Sequence, residues 1–313
     1  MTAAPVIAVV GATATGKSEL ALGLALALGG EVVNADSMQL YAGMDIGTAK
    51  LSPAEQRGVP HHLLSIWDVR HPASVAEYQR LARAAITGIR ARGRAVILAG
   101  GSGLYVRAAL GDLGFQPTDP AVRQRLEAEL ARTGPRHLHD RLAGLDPAAA
   151  AAILPSNGRR IVRALEVIEI SGRPFTAALP GYEYRRPAVQ LGLAIGRAGL
   201  DQRIAARTDR MWRAGFVAEV AGLERAGLRE GRTASRALGY AQVLRFLAGE
   251  GGEDEARAET VKATRRFARR QEAWFRRDPR VTWLDATDGD LLERAIACCR
   301  PAGRAGAARM GDG

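Results

Sequence analysis

Eight residues near the N-terminus, Gly11, Ala12, Thr13, Ala14, Thr15, Gly16, Lys17 and Ser18, constrain this chain more than any others. They match the pattern G-x-x-x-x-G-K-[ST]. They stand between a short apolar run at residues 5–10 and a Leu/Ala-rich segment, residues 18–28, that closes on Gly29-Gly30. A strand entering a glycine turn that opens a helix is the setting in which this motif binds phosphate. The glycines let successive backbone N–H groups curl towards phosphate oxygens, and the helix start adds the favourable end of its dipole. Lys17 supplies a point charge, and the Ser18 hydroxyl is placed to ligate Mg²⁺. The motif predicts a bound di- or triphosphate and leaves open whether it is ATP.

The rest of the N-terminal part repeats the strand-then-helix pattern. Residues 31–35 read as a second strand. A helix is expected over 75–91, after Ser74 as cap and ending at Gly93, and a third strand over 95–99. Such alternation predicts an α/β fold with a parallel sheet covered on both faces. The pattern changes after Phe115. Residues 118–185 show helical periodicity punctuated by Pro135, Pro147, Pro155 and Pro174, and a strand signal returns at 189–195. The expected organisation is a core of 1–117 and 186–300, a helical insertion of 118–185, and a disordered Gly/Ala/Arg tail of 301–313. The C-terminal part of the core is expected to be mostly helical over 201–275, with a last strand near 281–284 and a last helix over 291–299.

Composition narrows the compartment and the partner. No apolar run reaches the roughly 18–20 residues a membrane helix needs, and the N-terminus lacks a basic leader. A cytoplasmic protein with no membrane association is expected. The two cysteines, Cys298 and Cys299, are adjacent and suit neither a disulfide framework nor a zinc site, and the five histidines form no ligand spacing. The net charge is +11, which suits a partner rich in phosphate. Residues 257–280 hold nine Lys or Arg and three acids. On a helix, Lys262, Arg265, Arg266, Arg269, Arg270, Arg276 and Arg277 fall within an arc of about 140°. A solvated face usually mixes signs, so a nearly pure cationic face opposite an apolar one favours RNA phosphates. Arg159, Arg160 and Arg163 make a second basic group in the insertion.

The strand over 95–99 runs into Gly100-Gly101-Ser102 with no carboxylate, unlike the strand that holds Mg²⁺ in a typical phosphate-loop NTPase. The strand-terminal acid is Asp36. Its residue context admits three readings: a metal ligand, a general base facing the phosphate site, or a cap on the following turn. Arg203 and Arg207, one helical turn apart, are either a clamp on the diphosphate or a solvated face.

Several further stretches give the chain a resemblance. These are Asp36-Ser37-Met38-Gln39-Leu40-Tyr41 running on to Met44-Asp45-Ile46-Gly47-Thr48-Ala49-Lys50, Pro60-His61-His62-Leu63-Leu64, Gly100-Gly101-Ser102-Gly103-Leu104-Tyr105, Arg160-Ile161-Val162-Arg163-Ala164-Leu165-Glu166, Gly239-Tyr240-Ala241-Gln242 and Arg269-Arg270-Gln271-Glu272-Ala273-Trp274. With the phosphate loop, they make the chain similar to the bacterial tRNA dimethylallyltransferases from about residue 5 to 285. The resemblance implies a P-loop kinase-like core whose loop, with Mg²⁺, holds dimethylallyl diphosphate rather than ATP. It implies that Asp36 accepts a proton from the exocyclic amine of the adenosine 3′ of the anticodon, and that Ser102 orients that amine or its base. The tRNA contacts it implies are Asp36, Ser37, Met38, Gln39, Ser102, Arg123, Arg159, Arg160, Arg163, Arg236, Gly239, Tyr240, Arg269, Arg270, Gln271, Trp274 and Arg276. The partners it implies are the tRNA anticodon stem-loop and dimethylallyl diphosphate, and a monomer is expected. The chain departs from the family's usual residues at Ala12, Ser102 and Ala241, where Pro, Thr and Arg are common. Three rival readings share parts of the pattern: an isopentenyltransferase acting on free adenylate, a small-molecule kinase, and an RNA-binding module with a vestigial phosphate loop.

Overall fold

The computed structural model describes residues 4–175 and 181–299. The tail expected to be disordered, 301–313, lies outside the described residues. The chain divides into two compact units, one formed by the segments up to Gly111 and from Tyr184 onward, the other by Asp112–Glu183.

The first unit begins with β1 (Val6–Gly11), α1 (Lys17–Leu28), β2 (Gly30–Asn34), a two-residue β3 (His61–His62), α2 (Val75–Ala91), β4 (Ala95–Ala99) and α3 (Gly103–Leu110). Every residue of β1 and β2 is buried: β1 is accordingly an unbroken apolar run, whereas β2 also buries Glu31, bonded to Arg92 and His62, and Asn34, bonded to the backbone of Asp36 and Leu63. Ser74 caps α2, its hydroxyl accepting the Glu77 N–H. The second unit holds α4 (Pro120–Leu145), α5 (Pro147–Ala152) and α6 (Gly158–Ser171). Asp119 caps α4 through the N–H groups of Ala121 and Val122. Gly134, at φ 79°, and Pro135 break α4 into two arms. Leu126 and Leu138, one from each arm, and Leu142 close with Ile161 and Leu165 into a core of the unit's own.

The chain returns to the sheet through β5 (Ala188–Ala194). It continues with α7 (Arg197–Arg213), α8 (Phe216–Arg225), α9 (Tyr240–Leu247), α10 (Glu253–Phe275), β6 (Val281–Asp285) and α11 (Leu291–Cys299). The six strands are all parallel, in the order β3-β2-β4-β1-β5-β6. Central β1 pairs with β4 at Ile7–Ile97 and with β5 at Val9–Leu191. On one face Leu20, Leu24 and Ala25 of α1 and Ala295 of α11 cover the sheet. α10 packs against α7, α9 and the end of β1. β3 has no counterpart in the sequence reading, because two half-buried histidines carry no strand signal. No helix among the described residues is long and apolar enough to cross a membrane.

Candidate active site

The C-terminal edge of the parallel sheet is where an open α/β fold presents its loops to a ligand. Three loops meet there. The phosphate loop follows β1. Gly16 adopts φ +94° as it enters α1, and Ala14 is also left-handed at φ 65°. The Thr15 hydroxyl and the Lys17 ammonium both donate to the Ala12 carbonyl, at 2.9 and 2.5 Å, and close the loop on itself. Ala12 is buried against Leu200 and Ile204 of α7 and Ala268 of α10. Asp36 follows β2. Its N–H donates to Asn34 Oδ1 at 2.8 Å, and its carboxylate accepts the Met38 N–H at 3.0 Å. One of the three readings of Asp36, a local turn cap, is therefore present, and the carboxylate still lines the cavities described below.

The third loop follows β4. A Cβ at Gly100 would fall 2.2 Å from the backbone of Ala35, so only glycine lets the two loops approach this closely. That approach brings the Ser102 hydroxyl to the Ser37 N–H at 3.1 Å and to the Ser37 hydroxyl at 3.3 Å. Ser102 thus braces the residue next to Asp36, and no bond from it to the Asp36 carboxylate is present.

Two cavities of about 320 Å³ each open here, and both are lined by Thr13, Asp36, Thr48 and Arg207. The first is bounded by Lys17, Ser18, Gln39, Leu51, His61 and Leu64. The second is bounded by Ser37, Met38, Arg236, Tyr240, Phe267 and Arg270. Arg207 joins them: its guanidinium donates to the Thr13 hydroxyl and to the Thr48 carbonyl, each at 3.1 Å. Burial holds Arg207 below its ordinary range, partly offset by Asp36. Burial also lowers the Lys17 ammonium to about 8, with Asp36 pulling it back up and Arg207 pushing it further down. Two cations whose charge burial disfavours, held beside one carboxylate, are prepared for an anion of more than one charge. Arg203, one turn before Arg207, lines neither cavity; it sits near Asp285, whose carboxyl it helps to lower after the bonds from Thr287.

Along α10 and just past its C-terminal end the structure divides the expected RNA face into unpaired and acid-paired groups. Arg266, Arg269, Arg270 and Arg277 are exposed, and among the described residues no acid pairs with them. Arg270 lies over the Phe267 ring at 5.7 Å. Lys262 pairs with Glu259, Arg265 with Asp201, and Arg276 with Glu272 while it stacks on Trp283. Trp274 lies against Gly103, where a Cβ would meet its ring at 2.1 Å. Gln271 is placed differently from its neighbours: it is buried and binds Thr13 and Gly101. Gly239 starts α9, its N–H held by Gln242 Oε1 at 2.9 Å. Tyr240 is fully buried and donates to Glu219 at 2.6 Å.

Glu219 went unnoticed in the sequence. Its carboxylate accepts the N–H groups of Asp45, Ile46 and Gly47 at 3.1, 2.7 and 3.2 Å. It thereby pins the turn that presents the Thr48 carbonyl to Arg207. A lone Glu on a helix 170 residues away offers no sequence signal for this.

Within the second unit, two arginines expected to meet RNA are turned inward. The side chain of Glu166 is fully buried. It accepts from the Thr118 hydroxyl, the Asp119 N–H, and the guanidiniums of Arg123 and Arg163. Burial pushes its carboxyl up, but these donors prevail and hold it at about 2. Arg163 also donates to the carbonyls of Gln116 and Pro117. Arg159 and Arg160 are exposed.

Comparison with known proteins identifies the family. A family model described as IPP transferase matches residues 39–278. A tRNA dimethylallyltransferase of Thermobifida fusca is 67% identical over 297 residues, covering 93% of each chain. The chain belongs to the tRNA dimethylallyltransferase family. A second relative of that name, from Streptomyces avermitilis, is 68% identical over 288 residues and covers 92% of each chain. Among solved structures, a tRNA isopentenylpyrophosphate transferase of Bacillus halodurans superposes with a TM-score of 0.68 at 41% identity, over 94% of each chain. A eukaryotic dimethylallyltransferase acting on tRNA gives 0.79 at 26% identity, over 94% of this chain and 78% of its own. The expected α/β core of this transferase, with its phosphate loop and parallel sheet, is thus the family's fold.

Proposed function

We propose that the protein transfers a dimethylallyl group from dimethylallyl diphosphate to the N6 amine of the adenosine 3′ of a tRNA anticodon. The observation that carries this reading is the pair of cavities meeting at Asp36 and Arg207: one walled by the phosphate loop, the other opening beside Arg236, Phe267 and Arg270. The donor's diphosphate occupies the first. A base extruded from the anticodon loop enters the second, at a cost of a few kcal/mol. The exposed arginines of α10, with Arg159 and Arg160 of the insertion, supply phosphate contacts that offset this cost.

The amine is a weak nucleophile, since its lone pair is delocalised into the ring, and the allylic carbon compensates by tolerating positive charge. A nitrogen–carbon bond forms as the carbon–oxygen bond to diphosphate breaks, and the amine proton passes to the Asp36 carboxylate. Lys17, Arg207 and the loop N–H groups stabilise the charge that collects on the departing diphosphate. Ser102 keeps the Asp36 loop in register through Ser37. Among the described residues no three His, Cys, Asp or Glu side chains gather into a metal cage. The Ser18 hydroxyl is a hard oxygen donor on the first cavity's wall and fits Mg²⁺ arriving with its diphosphate. When bound, Mg²⁺ would neutralise part of the diphosphate charge.

The test is diphosphate release from dimethylallyl diphosphate and Mg²⁺ with tRNA, with AMP, or with ATP in place of the donor. Release with tRNA alone is expected. Turnover of AMP at a comparable rate, or ATP hydrolysis without a prenyl donor, would replace this reading with the adenylate transferase or the kinase.

A further inference from the structure

We infer that Gln271 is a positioning residue for the diphosphate loop and not an RNA contact; this rests on the prenyl-transfer reading above. Gln271 lies on α10 between exposed Arg270 and half-buried Glu272, yet it is only 6% exposed. Its Oε1 accepts the Thr13 N–H at 2.9 Å, and its Nε2 donates to the Gly101 carbonyl at 2.9 Å. The partners dictate which end of the amide is which, because an N–H can only donate and a carbonyl only accept.

One planar group therefore sets the spacing between the loop after β1 and the loop after β4. A side chain at position 101 would fall 2.3 Å from the Gln271 amide, so glycine there leaves the room the amide occupies. A carboxylate in its place would face the Gly101 carbonyl with no proton to share and would set a negative charge beside the incoming diphosphate. An apolar chain would leave a buried N–H and C=O without partners. Both loops lead to reacting groups: the Thr13 hydroxyl accepts from Arg207, and Ser102, next after Gly101, braces the Asp36 loop through Ser37. The helix that presents Arg269 and Arg270 outward thus holds the donor loop with its inward face.

The experiment uses the full chain carrying Gln271→Met or Gln271→Glu. Steady-state kinetics vary dimethylallyl diphosphate and tRNA separately, and filter binding measures tRNA Kd. The donor KM should rise at least about tenfold, equivalent to about 1.4 kcal/mol, and more in the Glu variant, while tRNA Kd stays within about twofold of wild type. Gly101→Ala displaces the same amide without altering α10 and should show the same pattern, which keeps the test open if Gln271→Met folds poorly. A raised tRNA Kd with an unchanged donor KM would make Gln271 an RNA contact and overturn the inference, as would no change in either. Should the wild type transfer no prenyl group, the functional reading fails by itself. The role of Gln271 is then read from binding of inorganic diphosphate: weaker binding by Gln271→Met upholds it, and equal binding overturns it.

Discussion

Raising the pH from 7 to 9 should disarm the donor site. Burial lowers the Lys17 ammonium to about 8, with Asp36 and Arg207 acting in opposite directions on it. A lysine whose value is lowered is charged below that value and neutral above it. The charged fraction is then about 0.9 at pH 7 and about 0.1 at pH 9. If only the ammonium form captures diphosphate, kcat/KM for dimethylallyl diphosphate falls roughly tenfold over that interval, because this ratio reports the free enzyme. In the complex the neighbouring diphosphate holds the proton on Lys17, so kcat should change much less. Lys17→Met, which is neutral at every pH, should lower kcat/KM at pH 7 by about 100-fold to 1,000-fold, the range for losing one preorganised stabiliser of developing charge. It should also abolish the alkaline limb. The assay is initial-rate prenyl transfer at saturating tRNA across pH 6.5–9.5. A flat wild-type profile, or the same limb persisting in Lys17→Met, would refute the reasoning.

Three further outcomes are expected. Asp36→Asn should cost about 10²–10⁴ in kcat, the usual weight of a positioned base, with tRNA affinity intact by filter binding; wild-type turnover would remove Asp36 as the base. Arg269→Ala combined with Arg270→Ala should weaken tRNA binding and reduce the slope of log K against log salt by about 0.7–0.9 per lost phosphate contact, and an unchanged slope would take α10 off the RNA surface. Glu166→Gln should lower stability by about 3 kcal/mol at pH 7, since it breaks a buried ion cluster. The Glu166 carboxyl, held at about 2 against an ordinary 4.5, gives its full stabilisation above pH about 4.5 and loses it as pH falls towards about 2. Thermal melts of the whole protein across that window should show a shallower acid limb in the variant, and superimposable limbs would contradict this.

What could be read in the sequence was local. The phosphate loop announced itself because its strand, turn and helix are contiguous, and β1, α1, α2 and β4 followed from periodicity and caps. The cationic face of α10 was legible for the same reason: one helix carries it. What escaped were contacts closed by the fold over long separations. Gln271 stands in a run of arginines, and only the packing of α10 against the end of β1 shows that it turns inward to Thr13. That Arg163 and Arg123 share the buried carboxylate of Glu166 likewise shows only in the fold. Arg203 and Arg207 have the same chemistry one turn apart, and only the path of α7 decides which reaches the phosphate loop. Glu219 carries no local pattern at all, because its partners are three backbone N–H groups in a distant turn and the Tyr240 hydroxyl.

The central claim is that a diphosphate leaves the phosphate loop as an RNA base beside Asp36 takes the prenyl group. Mass analysis of nucleosides from tRNA incubated with the protein, dimethylallyl diphosphate and Mg²⁺ tests it most directly. One adenosine per acceptor tRNA, 3′ of the anticodon, should gain a single five-carbon unit. Unmodified anticodon loops, with ATP split in the absence of donor, would contradict the account.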